Sequence, residues 1–463
     1  MAVSDTAAVP LFSKGYRTWV LTLLALTNAM NLADRQGIAV VAQAIKLDLR
    51  LSDTQMGVIQ GLGFAVFYTL LALPLARMAE YLNRARIIAA SLAVFGAMVV
   101  MCGMAQSFLL LLLCRIGVGI GDAGFGPPVS SLVGDHYPLQ KRASVMSIIW
   151  LGGPLGVVGG SMFAGWMAQS HGWRAAFYGI GVPAIAIALI AFLTLREPPR
   201  GMSDPGVPVG PPPSMWVVLR FLLGKPSVRQ MLLGCALATI ALNAIGQFLA
   251  QFLLRSYHLG MAETGTLMAL IAGGSMSSGL LLGGFGTDWA ARFDRRWYMW
   301  GPAIGLALAA PSFLLGFSRD SLFATIAVLM VAHVMLFIYY TPTLAMTQNM
   351  VGANMRASAA FVTALVIGLV GIGLGPTALG LLSDLFATRA FTLVDYAQTC
   401  PAGAPPAAAA ESIKLACEAA SATGIRHALM AISLLSAWAG LHYFLAARTL
   451  RRDLDTHYES GRG

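Results

Sequence analysis

Charge is what this sequence has least of. Asp, Glu, Lys and Arg make up 11% of the residues, against 57% hydrophobic, far from the balance of an average soluble domain. A soluble chain of 463 residues needs charged faces between its apolar ones, and they are missing. Also absent are any His/Cys metal-ligand spacing and any Gly-x-Ser-x-Gly nucleophile turn. No metal, no cofactor and no enzyme activity are therefore expected. The net charge of +10 invites a nucleic-acid reading, but Lys and Arg sit in short clusters between apolar stretches, not along one face or in a tail. That placement argues against a nucleic-acid partner.

What is present is a series of apolar stretches, each long enough to cross a bilayer as a helix. Twelve spans are expected, near 19–41, 55–79, 87–105, 108–133, 145–167, 175–195, 231–254, 264–290, 300–317, 321–346, 357–385 and 427–450. They must be helices, because every backbone polar group has to be satisfied in lipid. The apolar run after residue 16 is too long for a signal h-region, so it is expected to be retained as the first span. The sequence thus predicts an all-α polytopic membrane protein.

With both termini cytoplasmic, Arg84, Arg86, Lys141, Arg142, Arg292, Arg295, Arg296, Arg356, Arg451 and Arg452 all fall inside, as the positive-inside rule requires. The expected organisation is a cytoplasmic N-terminus (1–16), a six-helix bundle (17–196), a cytoplasmic linker (197–228), a second six-helix bundle (229–450) and a cytoplasmic tail (451–463). Pro208 to Pro213 in the linker cannot form a continuous helix, whereas 215–223 suits an interfacial helix. The longest outer loop, 387–424, contains Cys400 and Cys417. They form a disulfide if the loop faces an oxidising compartment, or remain two thiols if it does not.

The halves look like copies. Arg142-Ala-Ser after span four recurs as Arg356-Ala-Ser after span ten. Glu80 and Arg84 at the inner end of span two recur, at the same i,i+4 spacing, as Asp288 and Arg292 after span eight. Duplicated halves are the architecture of many secondary transporters.

The rare charges inside spans are the candidates for function. Span one contains Asn28, Asn31, Asp34 and Arg35; span four contains Arg115-Ile-Gly-Val-Gly-Ile-Gly-Asp122. Intramembrane charges face a cavity and mark a pathway, or pair to fix packing. In the functional reading Asp34 and Asp122 carry a proton while Arg35 and Arg115 hold an anionic group bidentately. Burial favours the neutral acid and a free arginine favours the carboxylate, so an anion that takes the arginine leaves the acid ready to protonate. In the structural reading the acids simply neutralise the arginines. Asn243, Gln247 and Gln251 recur every four residues in span seven and either line the cavity or bond between helices. His333 suits packing better than a proton relay. Gly117, Gly119, Gly121, Gly124 and Gly126, like the glycines between Gly152 and Gly160, allow close helix approach. Pro127 and Pro128 are expected to bend span four.

Asn31-Leu-Ala-Asp34-Arg35, then Arg115 followed by Gly119-Ile-Gly-Asp122-Ala, resemble the span-one and span-four motifs of the spinster-like branch of the major facilitator superfamily. Pro154-Leu-Gly156, Gly172-Trp-Arg-Ala-Ala-Phe177, Arg196-Glu-Pro-Pro-Arg-Gly201 and Arg295-Arg-Trp-Tyr298 are similar to it too. The resemblance implies two pseudo-symmetric six-helix bundles rocking about a central cavity, driven by the proton gradient. It places the coupling carboxylates at Asp34 and Asp122, the anion anchors at Arg35 and Arg115, and an amphiphilic, lysolipid-like anion in the cavity. The chain departs from the family at Asp122, where Glu is usual, and in both copies of the superfamily's cytoplasmic loop motif, around Glu80–Arg84 and Asp288–Arg292. An organic-anion:proton symporter branch and a drug-type efflux antiporter are the rival readings. The expectation is a monomer in the cell membrane with a small-molecule or amphiphile substrate.

Overall fold

The computed structural model describes residues 12–137, 139–199, 214–351, 355–393, 395–405 and 409–460. Among them there is no strand; the chain is a succession of helices. The first half comprises α1 (Lys14–Asp48), α2 (Asp53–Gln60), α3 (Leu62–Tyr81), α4 (Arg84–Gly103), α5 (Phe108–Ala123), α6 (Gly126–His136), α7 (Leu139–His171) and α8 (Trp173–Thr194). After α9 (Met215–Gly224), the second half comprises α10 (Pro226–Tyr257), α11 (Met261–Ala291), α12 (Trp297–Phe317), α13 (Leu322–Asn349), α14 (Ser358–Ala390) and α15 (Glu411–Ser460).

Among the described residues, eleven spans are long and apolar enough to cross a membrane by length and composition. In that set α2 with α3, and α5 with α6, count as one crossing each. The long helix outside the set is α1, 35 residues long, whose Asn28, Asn31, Asp34, Arg35 and Gln36 dilute its apolar character. It is the twelfth. Residues polar enough to weaken a span are also those the sequence singles out for function.

Breaks between helices follow local chemistry. Ser52 starts α2 with a capping box, its hydroxyl accepting from the Gln55 amide while the Gln55 side chain accepts from the Ser52 amide. Ser107 caps α5 and Asn83 caps α4. The expected bend of span four falls at Gly124-Phe125, and Pro127 and Pro128 open α6 in its first turn, where a missing N–H costs nothing. α3 ends at Tyr81, and Arg84 begins the next helix behind the Asn83 cap. The side chains of Glu80 and Arg356 lie outside the described residues, as does the linker stretch 208–213. The loop expected over 387–424 is helical at both ends, since α14 runs to Ala390 and α15 begins at Glu411.

Each half has its own buried core, the first around Ile38, Phe64, Phe95 and Phe177, the second around Phe248, Phe252, Phe313 and Phe317. Large apolar residues such as Phe192, Leu193 and Phe323 point outwards, as they do where lipid is the solvent. Tyr16 at the start of α1 bonds to Thr194 and Arg196, and Lys225 bonds to the Met350 and Asp453 carbonyls. The start of α1 and the last part of α15 therefore lie at one end of the bundle with α9, called here the linker end.

The halves meet through glycines at the opposite, far end and towards the middle. A Cβ on Gly57 would lie 2.3 Å from the Pro376 carbonyl, and one on Gly380 2.2 Å from the Asp53 carbonyl, so α2 packs on α14 backbone to backbone. Gly165 and Gly265 bring α7 against α11 in the same way. These are spans two on eleven and five on eight, a pattern that maps onto itself when the two halves are exchanged.

Candidate functional site

The four intramembrane charges pair crosswise between α1 and α5. Arg115 donates from Nη1 to Asp34 Oδ2 at 2.7 Å, and Arg35 donates from Nη2 to Asp122 Oδ2 at 2.6 Å. Asp34 and Arg35 are adjacent and differ by about 100° around their helix, whereas Arg115 and Asp122 are separated by about 10 Å of rise on one face. The long arginine side chains cover that rise, so neighbours on α1 engage residues two turns apart on α5.

The two pairs are not equivalent. The Asp34 and Arg115 side chains are 0% and 2% exposed, whereas those of Arg35 and Asp122 are 22% and 8%. Arg35 also rests on aromatic faces, 4.3 Å from the Phe64 ring centre and 5.2 Å from that of Tyr68, where a cation is attracted by the ring quadrupole. One pair is sealed and the other opens onto accessible space. Asn31 Oδ1, Asp34 Oδ1, Arg35 Nε and Arg115 Nε are all buried without a partner. A buried orphan polar atom costs about 1–3 kcal/mol, and four around one site mark a place where further hydrogen bonds can form.

Asn28 has a structural post. Pro154 in α7 cannot donate to the carbonyl four residues before it, and that freed Trp150 carbonyl accepts from Asn28 Nδ2 at 3.5 Å, with the Ile149 carbonyl at 3.2 Å. Gly152, Gly156 and Gly160 serve the same junction: a Cβ on Gly152 or Gly156 would lie 2.1 or 2.2 Å from the Ala25 or Ala29 carbonyl, whereas Gly159 meets open space. In α5, Gly117, Gly119, Gly121 and Gly124 meet neighbouring helices as closely, whereas Gly126 has open space around it.

The other candidates separate. Asn243 bonds back to the Thr239 carbonyl, Gln247 has a buried carbonyl oxygen without a partner, and Gln251 accepts from Arg255 at 2.8 Å. His333 bonds to the Leu329 carbonyl and packs edge-on against Phe313, which is a packing role. Arg84 binds Asp135 and Glu197, fastening the start of the linker to the first half, and Asp288 accepts from the Tyr298 hydroxyl. Arg292 is exposed at the end of α11. Cys400 and Cys417 are bonded and buried.

A second charged cluster, absent from the sequence reading, ties the halves together at the far end. Asp53 of α2 accepts from Lys46 of its own half at 2.6 Å and, bidentately, from Arg255 of the other half at 2.8 and 2.6 Å. Ser383 donates to the same carboxylate, and Arg255 Nε donates to Gln43. Asp384 of α14 accepts from the Asp53 and Thr54 amides at 3.1 and 2.8 Å, closing the N-terminus of a helix in the opposite half. The signal was there to be followed, because the four-residue spacing of Asn243, Gln247 and Gln251 continues to Arg255.

A groove of about 790 Å3 between α1, α7 and α8 is almost wholly apolar and contains none of the four charges; the chemistry lies elsewhere.

This arrangement of two facing helical halves with charges on spans one and four can be compared with known proteins. Residues 24–376 match the Major Facilitator Superfamily. The chain belongs to that superfamily. It is similar to the crystal structure of a bacterial homolog to the human lysosomal transporter Spinster, in an inward-facing and unoccupied conformation, with TM-score 0.86 and 32% identity over 96% of this chain and 99% of that one. It is 30% identical to an MFS-type efflux pump of Mycolicibacterium smegmatis, over 80% of this chain and 85% of the pump. It is 28% identical to a hexuronate transporter of Bacillus subtilis, over 81% of this chain and 89% of that one. The chain is thus a spinster-like secondary transporter, an integral multi-pass membrane protein and not an enzyme.

Proposed function

We propose that this transporter is proton-coupled and carries a small organic or amphiphilic anion by alternating access. The observation that carries the reading is the unequal pair of crosswise bridges. Arg35, accessible and backed by Phe64 and Tyr68, receives the anionic group of the solute. Once Arg35 turns to the solute, Asp122 loses its counter-ion inside a low-dielectric bundle and takes up a proton. Asp34 and Arg115, sealed behind them, are the second proton site and anion anchor and respond through their orphaned Oδ1 and Nε atoms. Proton and solute then need never touch. The shorter carboxylate at 122 suffices because Arg35 reaches it at 2.6 Å.

In this reading the far end is the outer end, closed by Asp53 and Arg255, and the linker end is cytoplasmic with both chain termini. The similar bacterial structure is inward-facing, which supports assigning the same state here. The protein works as a monomer in the cell membrane. A hydrophilic acid remains the second reading, favoured by the similarity to a hexuronate transporter.

The test uses purified protein in proteoliposomes, with uptake of a labelled lysophospholipid or a labelled hexuronate at equal pH and under an imposed gradient. Gradient-dependent accumulation of the lysophospholipid is expected. Accumulation of the hexuronate alone selects the second reading, and transport indifferent to the gradient removes proton coupling.

A further inference from the structure

Beside Arg255 at the far end, α10 and the first turns of α15 line an open cavity of about 340 Å3. Its wall includes Arg255, Ser256, His258, Glu418, Thr423 and Arg426, three basic side chains to one acid. The Ser256 hydroxyl is buried there with no hydrogen-bond partner. Arg426 has only a 3.9 Å approach to Asp320, whose side chain is 97% exposed. Guanidinium groups with spare donors beside an orphaned hydroxyl form a recognition surface for a carboxylate or a phosphate. We propose that this cavity is an anion site, and that filling it loosens the closure between the two halves.

The coupling follows from how Arg255 spends its donors. In the closed arrangement Nε serves Gln43, Nη1 and Nη2 serve Asp53, and Nη2 also serves Gln251, so all but one of its N–H groups are engaged. An anion entering the cavity now meets Arg426, His258, Ser256 and little of Arg255. When the halves part, Asp53 leaves with Lys46, which keeps it neutralised at 2.6 Å within the first half. Arg255 stays on the second half, beside the cavity, with the donors that held Asp53 released and only Gln251 still bonded to Nη2. The anion then takes the place of Asp53. A ligand shifts an equilibrium by its difference in affinity for the two states, and here the separated state offers it more donors. Asp53 acts as an internal stand-in for the anion.

The closure has a native reporter. The Asp53 and Thr54 amides donate to Asp384 across the interface, so their hydrogen exchange accelerates when the halves part. The full-length protein in detergent is compared in chloride, succinate and inorganic phosphate at equal ionic strength, following deuterium uptake of the peptide covering 51–60. Uptake several-fold faster in succinate or phosphate than in chloride is expected. The response disappears in the Arg426→Ala/His258→Ala variant and persists in Arg389→Ala, an exposed arginine of α14 outside the cavity. A parallel arm in nanodiscs compares phosphatidylglycerol with phosphatidylcholine without added anion, and faster exchange in phosphatidylglycerol identifies the source as a headgroup phosphate. Uptake indifferent to succinate, phosphate and anionic lipid, or a response that survives in the double variant, overturns the proposal. Exchange reports opening whether or not a solute is carried, so this test stands apart from that of proton coupling.

Discussion

Replacing Asp34 by Asn and replacing Asp122 by Asn remove the same charge from the same site, yet the structure makes them unequal in stability. The Asp34→Asn variant leaves Arg115 with its side chain 2% exposed and no counter-ion. Stranding one member of a buried pair costs about 3–5 kcal/mol, which is roughly two to three and a half decades in an equilibrium constant. The Asp122→Asn variant strands Arg35, whose side chain is 22% exposed and still lies over Phe64 and Tyr68. Water and the ring faces absorb part of that loss, and about 1–2 kcal/mol is expected, between the ranges for exposed and buried pairs. Denaturant unfolding of both variants in one detergent measures the difference. A companion variant, Asp34→Asn with Arg115→Gln, removes the stranded charge and recovers most of the lost stability while staying inactive in transport. Equal costs for the two single variants, or the greater cost at Asp122, would refute the argument that one bridge is sealed and the other open.

Other consequences are local. Asn28→Ala leaves the Trp150 carbonyl freed by Pro154 without its partner, and a loss of about 1–3 kcal/mol in the same unfolding assay is expected. Gly156→Val places carbon 2.2 Å from the Ala29 carbonyl, so α1 and α7 must part; a sharp fall in monodisperse protein on size exclusion is expected, with Gly126→Ala, which meets open space, as the unaffected control. Cys417→Ser removes a cross-link between residues 17 apart and, in the chain-entropy picture, about 3 kcal/mol from its constraint on the unfolded 400–417 segment. Limited proteolysis should cut that segment faster in the variant while leaving the membrane helices intact.

The fold was largely legible because lipid imposes a simple rule: a span must be helical, long and apolar. Asp34, Arg35, Arg115 and Asp122 stood out for the same reason, as charges where charge is costly. Their pairing did not, since it depends on how two antiparallel helices are rotated about their axes, which spacing within each helix leaves open. The far-end cluster escaped for a different reason. Lys46, Asp53, Arg255 and Asp384 lie at the ends of spans, where charge is ordinary, and Asp53 meets partners 202 and 330 residues away. Glu80 and Arg84 keep their four-residue spacing in sequence but sit on different helices, because Leu82-Asn83 separates α3 from α4. Asn83 at a helix start is the residue that signals the break.

The central claim is that the Arg35–Asp122 bridge opens to take a solute anion on Arg35 and a proton on Asp122 together, with Asp34 behind it. Accumulation of labelled substrate in proteoliposomes under an imposed pH gradient, for wild type, Asp34→Asn and Asp122→Asn, tests it most directly. The account predicts that both variants still equilibrate substrate down its own gradient but no longer concentrate it in response to pH. Full gradient-driven accumulation in both variants would contradict it.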